Sequence, residues 1–325
     1  MQFFVVHGWY GVAAALVSMV LFIYTCSSLL SAGQRNDLRT NEDTFRYFCG
    51  PIIGVVITWY TMALIVAVNS VMLAGAAATL QQAYGVPTYA GAGAMAMLCL
   101  ATLLLGLNRI LSLLGIIGPL ILLFTAATIL MTLFTSTESV ASGVASVSSF
   151  KLLRASDSWL FSSLLYVGLI LPGLAGFLPV AGAKLHSSSE VRAVSLLGPL
   201  VFTGVLILLV IALMAKIHQI AGVEVPTMAM AAGILPVYAR LFAVAIFLGI
   251  FTTITPLLWT VCTRFTSEHS AQYRGLAVCL TLVGLAGGTV LPFGVLLNWI
   301  YPTVGYVGLL FLVCQIVTDI RHRWG

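Results

Sequence analysis

Charge is what this chain has least of. Nine acidic and fourteen basic residues make up 7% of 325 positions, against 61% hydrophobic residues, so no water-soluble core could hide the apolar surface and lipid must cover it. All nine acidic residues (Asp37, Glu42, Asp43, Glu138, Asp157, Glu190, Glu224, Glu268 and Asp319) fall in loops or near the ends of apolar runs. Carboxylates inside a membrane mark proton relays, so a carboxylate shuttle buried within the spans is not expected. The five histidines (His7, His186, His218, His269, His322) are also peripheral and unclustered, which argues against metal transport or an intramembrane protease. GxSxG, HExxH and a phosphate-cradling glycine loop followed by lysine are all missing, leaving an enzyme no residue to rest on and no cofactor to expect. The six cysteines never form a CxxC pair, so neither a disulfide framework nor a zinc site is supported. A net charge of +5 could suggest nucleic acid, but the basic residues stand singly in short loops. That pattern orients a membrane protein in its lipid bilayer and does not make a nucleic-acid surface.

What is present is long apolar sequence. A bilayer-spanning helix needs about 20 apolar residues, and nine runs qualify: 9–32, 49–80, 88–107, 110–134, 158–181, 193–215, 236–263, 275–291 and 301–320. The start, MQFFVVHGWYG, has no basic n-region and no small-residue cleavage site, so the first run is expected to stay as a span. If the loops alternate sides, Arg35, Arg39, Arg46, Arg109, Lys184, Arg192, Arg264, Arg274, Arg321 and Arg323 share one side. Only Lys151, Arg154, Lys216 and Arg240 lie on the other. Cations concentrate on cytoplasmic loops, which predicts a plasma-membrane protein with its C-terminus inside and, with an odd count of spans, its N-terminus outside.

The longest clearly polar interruption is the serine-rich stretch 135–157, TSTESVASGVASVSSFKLLRASD, expected to be external. It divides a single transmembrane domain into a first half, 1–134, with four spans and a second half, 158–325, with five. The difference of 168 − 134 = 34 residues is about one helix and its connection. Internal repeats of this kind are common in secondary transporters, whose sites form where discontinuous helices meet near the midplane.

One such discontinuity is suggested by residues 166–182, YVGLILPGLAGFLPVAG, which put four glycines and two prolines inside an apolar run. Pro172 cannot donate a backbone hydrogen bond and crowds the carbonyl one turn earlier, while Gly173 and Gly176 weaken the helix around it. A break there could offer freed amides to a carboxylate and freed carbonyls to a cation; the alternative is an ordinary proline kink satisfied by neighbouring helices. A second feature is Thr252 and Thr253 in IFLGIFTTITPLLW, an adjacent pair of oxygen donors in the middle of the seventh span. Each could instead bond back to a carbonyl of the preceding turn. On the second span, Tyr60 and Asn69 are nine residues apart and so face opposite sides of a helix; Asn69 is expected to bond a neighbouring helix.

Three segments, QFFVVHGWYG entering the first span, IFLGIFTTITPLLW in the seventh and LNWIYPTVGYVGLLFL entering the last, together resemble the YkvI-like amino acid permease family. This family belongs to the amino acid–polyamine–organocation superfamily. The likeness runs along most of the chain, and no one motif is diagnostic. It implies an all-α membrane protein with the LeuT-type 5+5 inverted repeat, in which the nine spans correspond to helices two to ten and the first helix is missing. Either Met1 is an internal methionine of a longer frame or the protein is naturally short. The resemblance makes the fifth span the broken sixth helix of that fold, with Tyr166, Leu171, Pro172, Gly173 and Gly176 at a substrate site. Tyr60 becomes the aromatic that caps the substrate, and Thr252 with Thr253 a sodium site whose remaining carbonyls would come from the absent helix. Residues 222–236 take the place of a re-entrant outer lid, and 291–302 could be a similar partial insertion. The function implied is secondary active transport of a small organic solute, an amino acid, with sodium as the coupling ion. A solute-sensing receptor or channel on the same scaffold, and an inactive truncated fragment, are the alternatives.

Overall fold

The computed structural model describes residues 1–324 apart from 37, 39, 137, 138, 224, 291 and 292, and no strand occurs among the described residues. A 3-10 turn at Val5–His7 precedes α1 (Trp9–Asn36). There follow α2 (Asn41–Tyr84), α3 (Thr88–Leu105), α4 (Leu107–Thr135), the short α5 (Val140–Ser146) and a 3-10 turn at Val147–Ser149. The remainder is α6 (Trp159–Gly182), α7 (Ser188–Ala215), the short α8 (Ile217–Ile220) and α9 (Pro226–Ile234), then α10 (Pro236–Phe265), α11 (Ala271–Val290) and α12 (Phe293–Trp324). Among the described residues nine helices are long and apolar enough to cross a membrane, one for each run read from the sequence. With so little polar sequence between them, helices are the only open-ended way to satisfy every backbone group in lipid. The chain is therefore a multi-pass integral membrane protein.

Three expectations change. The fifth span does not break: α6 is helical from Trp159 to Gly182 with Pro172 and Pro179 inside it. Residues 293–302 are no partial insertion but the first turns of α12, which runs through Pro302; residues 291 and 292 lie outside the described residues. The non-helical position within a span is instead Gly50 (φ 78, ψ 175), just before Pro51, where α2 bends. A positive φ suits glycine, and the following proline disfavours helical backbone in the residue before it, so the pair Gly50-Pro51 sets this kink from sequence alone.

The chain divides into two compact units. The first contains residues 1–62, 147–211 and 301–325, and the second 63–146 and 212–300. In the first unit α1 lies along α6, and a core of Phe22, Leu29, Phe45, Phe48, Val167, Leu171, Ala175 and Phe311 joins them to the start of α2 and the end of α12. In the second unit α10 packs on α4, α3 and the short α9, while α11 packs on α3. Met228, Ala231, Phe242 and Ala243 hold α9 against α10. The segment expected as a lid, 222–236, thus holds one short helix, α9, fixed to its own unit by buried methionine and alanine.

Glycines govern how closely these helices approach. In the first unit, a Cβ on Gly168 of α6 would overlap the carbonyl of Gly305, and one on Gly308 the carbonyl of Gly168, so α6 and α12 cross backbone to backbone. Gly33 meets Pro179 and Gly182 meets Leu30 in the same way along α1 and α6. In lipid, where apolar surface alone gives helices little reason to associate, such small-residue contacts supply the packing.

Candidate functional site

With α6 unbroken, the 100° step of an α-helix decides which of its residues share a face. Tyr166 and Gly173 fall on one side, Pro172 and Gly176 share an adjoining one, and Leu171 lies roughly opposite Tyr166; Leu171 and Pro172 are buried. Leu171 belongs to the first unit's apolar core. Both residues, expected at a substrate site from the sequence, are buried in this structure. Of the glycines in the same stretch, Gly168 and Gly182 are contact points with α12 and α1, and a Cβ on Gly176 would strike the side chain of Asn41.

Tyr166 is the best-defined member of the expected set. Its ring sits 4.7 Å, centroid to centroid, from Phe4 in an edge-on contact, 5.6 Å from Phe3 and 6.0 Å from Phe22, which in turn meets Phe202 of α7 edge-on at 6.0 Å. Among the described residues its hydroxyl has no hydrogen-bond partner. An aromatic box with one polar tip can hold an apolar group and orient one polar atom.

A polar junction stands beside this box. Ser162 Oγ shares a hydrogen bond with His7 Nε2 at 3.0 Å and lies 3.4 Å from the Ser156 carbonyl. The Gln2 carbonyl accepts from the Ala155 amide at 3.0 Å, and Ser158 caps α6 by accepting from the Phe161 amide. Burial, helped by the Arg154 cation, holds the His7 imidazole below its ordinary pKa, with Asp157 pulling the other way. Protonation is therefore easier in the released segment than in the docked one. Docking of residues 2–8 should be at full strength above the ordinary histidine range and weaken as pH falls through it. Faster hydrogen exchange of amides 5–8 at pH 5.5 than at pH 7.5, after correction for intrinsic rates, is the expected result, with the difference reduced in His7→Gln.

Tyr60 belongs to the same unit, on α2, and is 41% exposed. No contact in the structure joins it to Tyr166. Thr252 and Thr253 belong to the second unit. Both hydroxyls donate to the Gly249 carbonyl, at 2.9 and 3.0 Å, and Thr253 is exposed. Back-bonding to the preceding turn is thus what the pair does here, although each oxygen keeps lone pairs for a cation. Asn69 behaves as expected for an asparagine in lipid: its Nδ2 donates to the Leu280 carbonyl of α11 at 2.8 Å. Among the described residues no three His, Cys, Asp or Glu side chains gather into a metal site.

Two features were missed in the sequence. One is the glycine seam, whose trace is Gly305 and Gly308 three apart on the last span with Gly168 on the fifth. The other is Gln315, a fully buried amide in the middle of the apolar string LVCQIV. A lone amide inside a span was the available signal.

The chain is similar to the uncharacterized membrane protein YkvI of Bacillus subtilis (strain 168), at 22% identity over 316 residues, covering 96% of this chain and 87% of that protein. No family model matches the chain.

Proposed function

We propose that this protein is a secondary transporter of a small organic solute of the amino acid class, working by alternating access, and that it performs no enzymatic chemistry. The observation that carries the reading is the composition of the two units. Each unit draws helices from both halves of the sequence: α1, α6 and α7 in the first, and α3, α4, α10 and α11 in the second. In a 5+5 inverted repeat whose first helix lies outside the chain, α1 would be equivalent to α7, α2 to α10 and α3 to α11. The pair α1 and α7 falls almost wholly in one unit and the pair α3 and α11 in the other, which supports the reading, while α2 is divided between the units and α10 lies in the second. The similarity to a membrane protein over nearly the whole chain supports the class. The amino acid substrate rests on the sequence resemblance.

In this reading the solute's apolar part is held at the Tyr166 box and one polar atom meets the tyrosine hydroxyl, with Gly173 on the same side of α6. Tyr60 supplies a second aromatic from α2. Thr252 and Thr253 would give lone pairs to a sodium ion. The C-terminus is cytoplasmic and the N-terminus of the chain external. The test is uptake into proteoliposomes: a labelled amino acid should accumulate saturably and be displaced by the unlabelled compound. Uptake that rises linearly without saturation, or binding with no uptake, defeats the carrier reading and favours a channel or a receptor.

A further inference from the structure

Among the groups the proposed function does not use, the most constrained is Gln315 on α12. It is fully buried, and its Nε2 donates to the Thr25 carbonyl of α1 at 3.3 Å. That bond fixes which way the amide points: reversing it would set oxygen against oxygen. Oε1 is then left in the interior with no hydrogen-bond partner among the described residues, and the buried Oγ of Ser28 is in the same condition. An acceptor of this kind in a membrane interior is costly unless something satisfies it.

Position links these oxygens. The first and last of nine spans cross the membrane in the same direction, so one turn beyond Thr25 and one turn beyond Gln315 lie at the same depth. Those places hold Ser28, three residues on along α1, and Asp319, four residues on along α12. Asp319 reaches α1 through a second bond, its Oδ2 accepting from the Tyr24 hydroxyl at 2.8 Å. No basic side chain pairs with Asp319 among the described residues. On facing stretches of α1 and α12 the first unit thus carries an amide oxygen and a hydroxyl oxygen without hydrogen-bond partners and a carboxylate with no basic partner among the described residues.

We propose that this is a binding site for a monovalent hard cation, sodium in type, formed by Gln315 Oε1, Ser28 Oγ and the Asp319 carboxylate, with the second lone pair of the Thr25 carbonyl in reach. An all-oxygen set selects a hard ion, and a single carboxylate balances one positive charge; calcium takes more ligands and more anionic ones. A bridging water could satisfy the two neutral oxygens, but it would leave the carboxylate unbalanced. The site lies within one unit and on different helices from Thr252 and Thr253. It stands whether or not the protein moves a solute.

The experiment is thermal unfolding of the purified full chain in nanodiscs, with choline chloride replaced by sodium chloride at constant ionic strength. The unfolding midpoint of the wild-type protein should rise by at least about 3 °C and continue upward with the logarithm of sodium concentration. Gln315→Met and Ser28→Ala should each remove most of that rise; the serine variant, which deletes one atom, covers the case in which the glutamine variant does not fold. A wild-type midpoint indifferent to sodium, as a water-only site would give, overturns the proposal. So does a sodium response that persists in both variants and vanishes when Thr252 and Thr253 are both replaced by alanine, which would put the ion on α10.

Discussion

Gly168→Leu and Gly308→Leu should each abolish recovery of folded, monodisperse protein, whereas Gly198→Leu should leave it unchanged. The difference follows from what a side chain would meet. At Gly168 and Gly308 even a Cβ overlaps backbone of the opposite helix, and backbone cannot swing aside as a flexible side chain can. The two helices would have to separate, losing the contact between α6 and α12 and disturbing the adjoining core of Leu171, Val167 and Phe311. Overpacking in a filled interior costs about 1–3 kcal/mol where neighbours can adjust, and forced separation of two backbones belongs at or above the top of that range. A Cβ at Gly198 meets nothing within 4 Å. Size-exclusion profiles of the three variants, extracted and run alike, check the prediction. Full recovery of Gly168→Leu would mean that the close crossing of α6 and α12 is not what holds the first unit together.

Tyr166 should separate stability from solute recognition. Replacing it with alanine removes a ring that touches Phe3, Phe4 and Phe22, and emptying an aromatic site of this kind costs about 3–5 kcal/mol. Tyr166→Ala should lower the unfolding midpoint by many degrees and release the segment before α1. Tyr166→Phe keeps the ring and loses a hydroxyl that has no partner among the described residues, so its stability should stay within about 0.5 kcal/mol of wild type. If that hydroxyl meets the solute, the phenylalanine variant should still raise the concentration needed for half-maximal uptake, by about tenfold for one hydrogen bond to a charged group. Thermal unfolding and uptake measured on the same preparations distinguish the two roles. An unstable phenylalanine variant would show that the hydroxyl has a structural partner.

These residues also show what could be read before the fold was known. The nine spans were legible because long apolar runs with few charges have one physical outcome in lipid, and each run corresponds to a helix, although α2 and α12 begin well before their runs, at Asn41 and Phe293. The kink at Gly50-Pro51 was equally open to reading, since a positive φ and a following proline act locally. Pro172 illustrates the opposite case. A proline in a span removes one hydrogen bond, but whether the helix breaks depends on its neighbours, and α6 stays helical between α1 and α12. Its glycines looked like weak points because sequence shows only their missing side chains. In three dimensions Gly168 and Gly182 are where other backbones come closest. Thr252 and Thr253 were ambiguous for a related reason: a threonine in a helix can always satisfy itself on the preceding turn, and only a ligand would show that it does more. Gln315 was visible as a buried amide, but its significance depends on Thr25, Ser28 and Asp319, which sequence separates by some 290 positions.

The central claim is that this protein carries an amino-acid-like solute across the membrane, and counterflow tests it most directly. Proteoliposomes containing the purified chain, preloaded with unlabelled amino acid and diluted into a trace of the labelled compound, should take up label faster than empty vesicles and reach a transient overshoot. Uptake of the labelled compound that is indifferent to the preloaded pool for every amino acid tried would contradict the account, since a carrier that exposes one site alternately to the two sides must exchange what it binds.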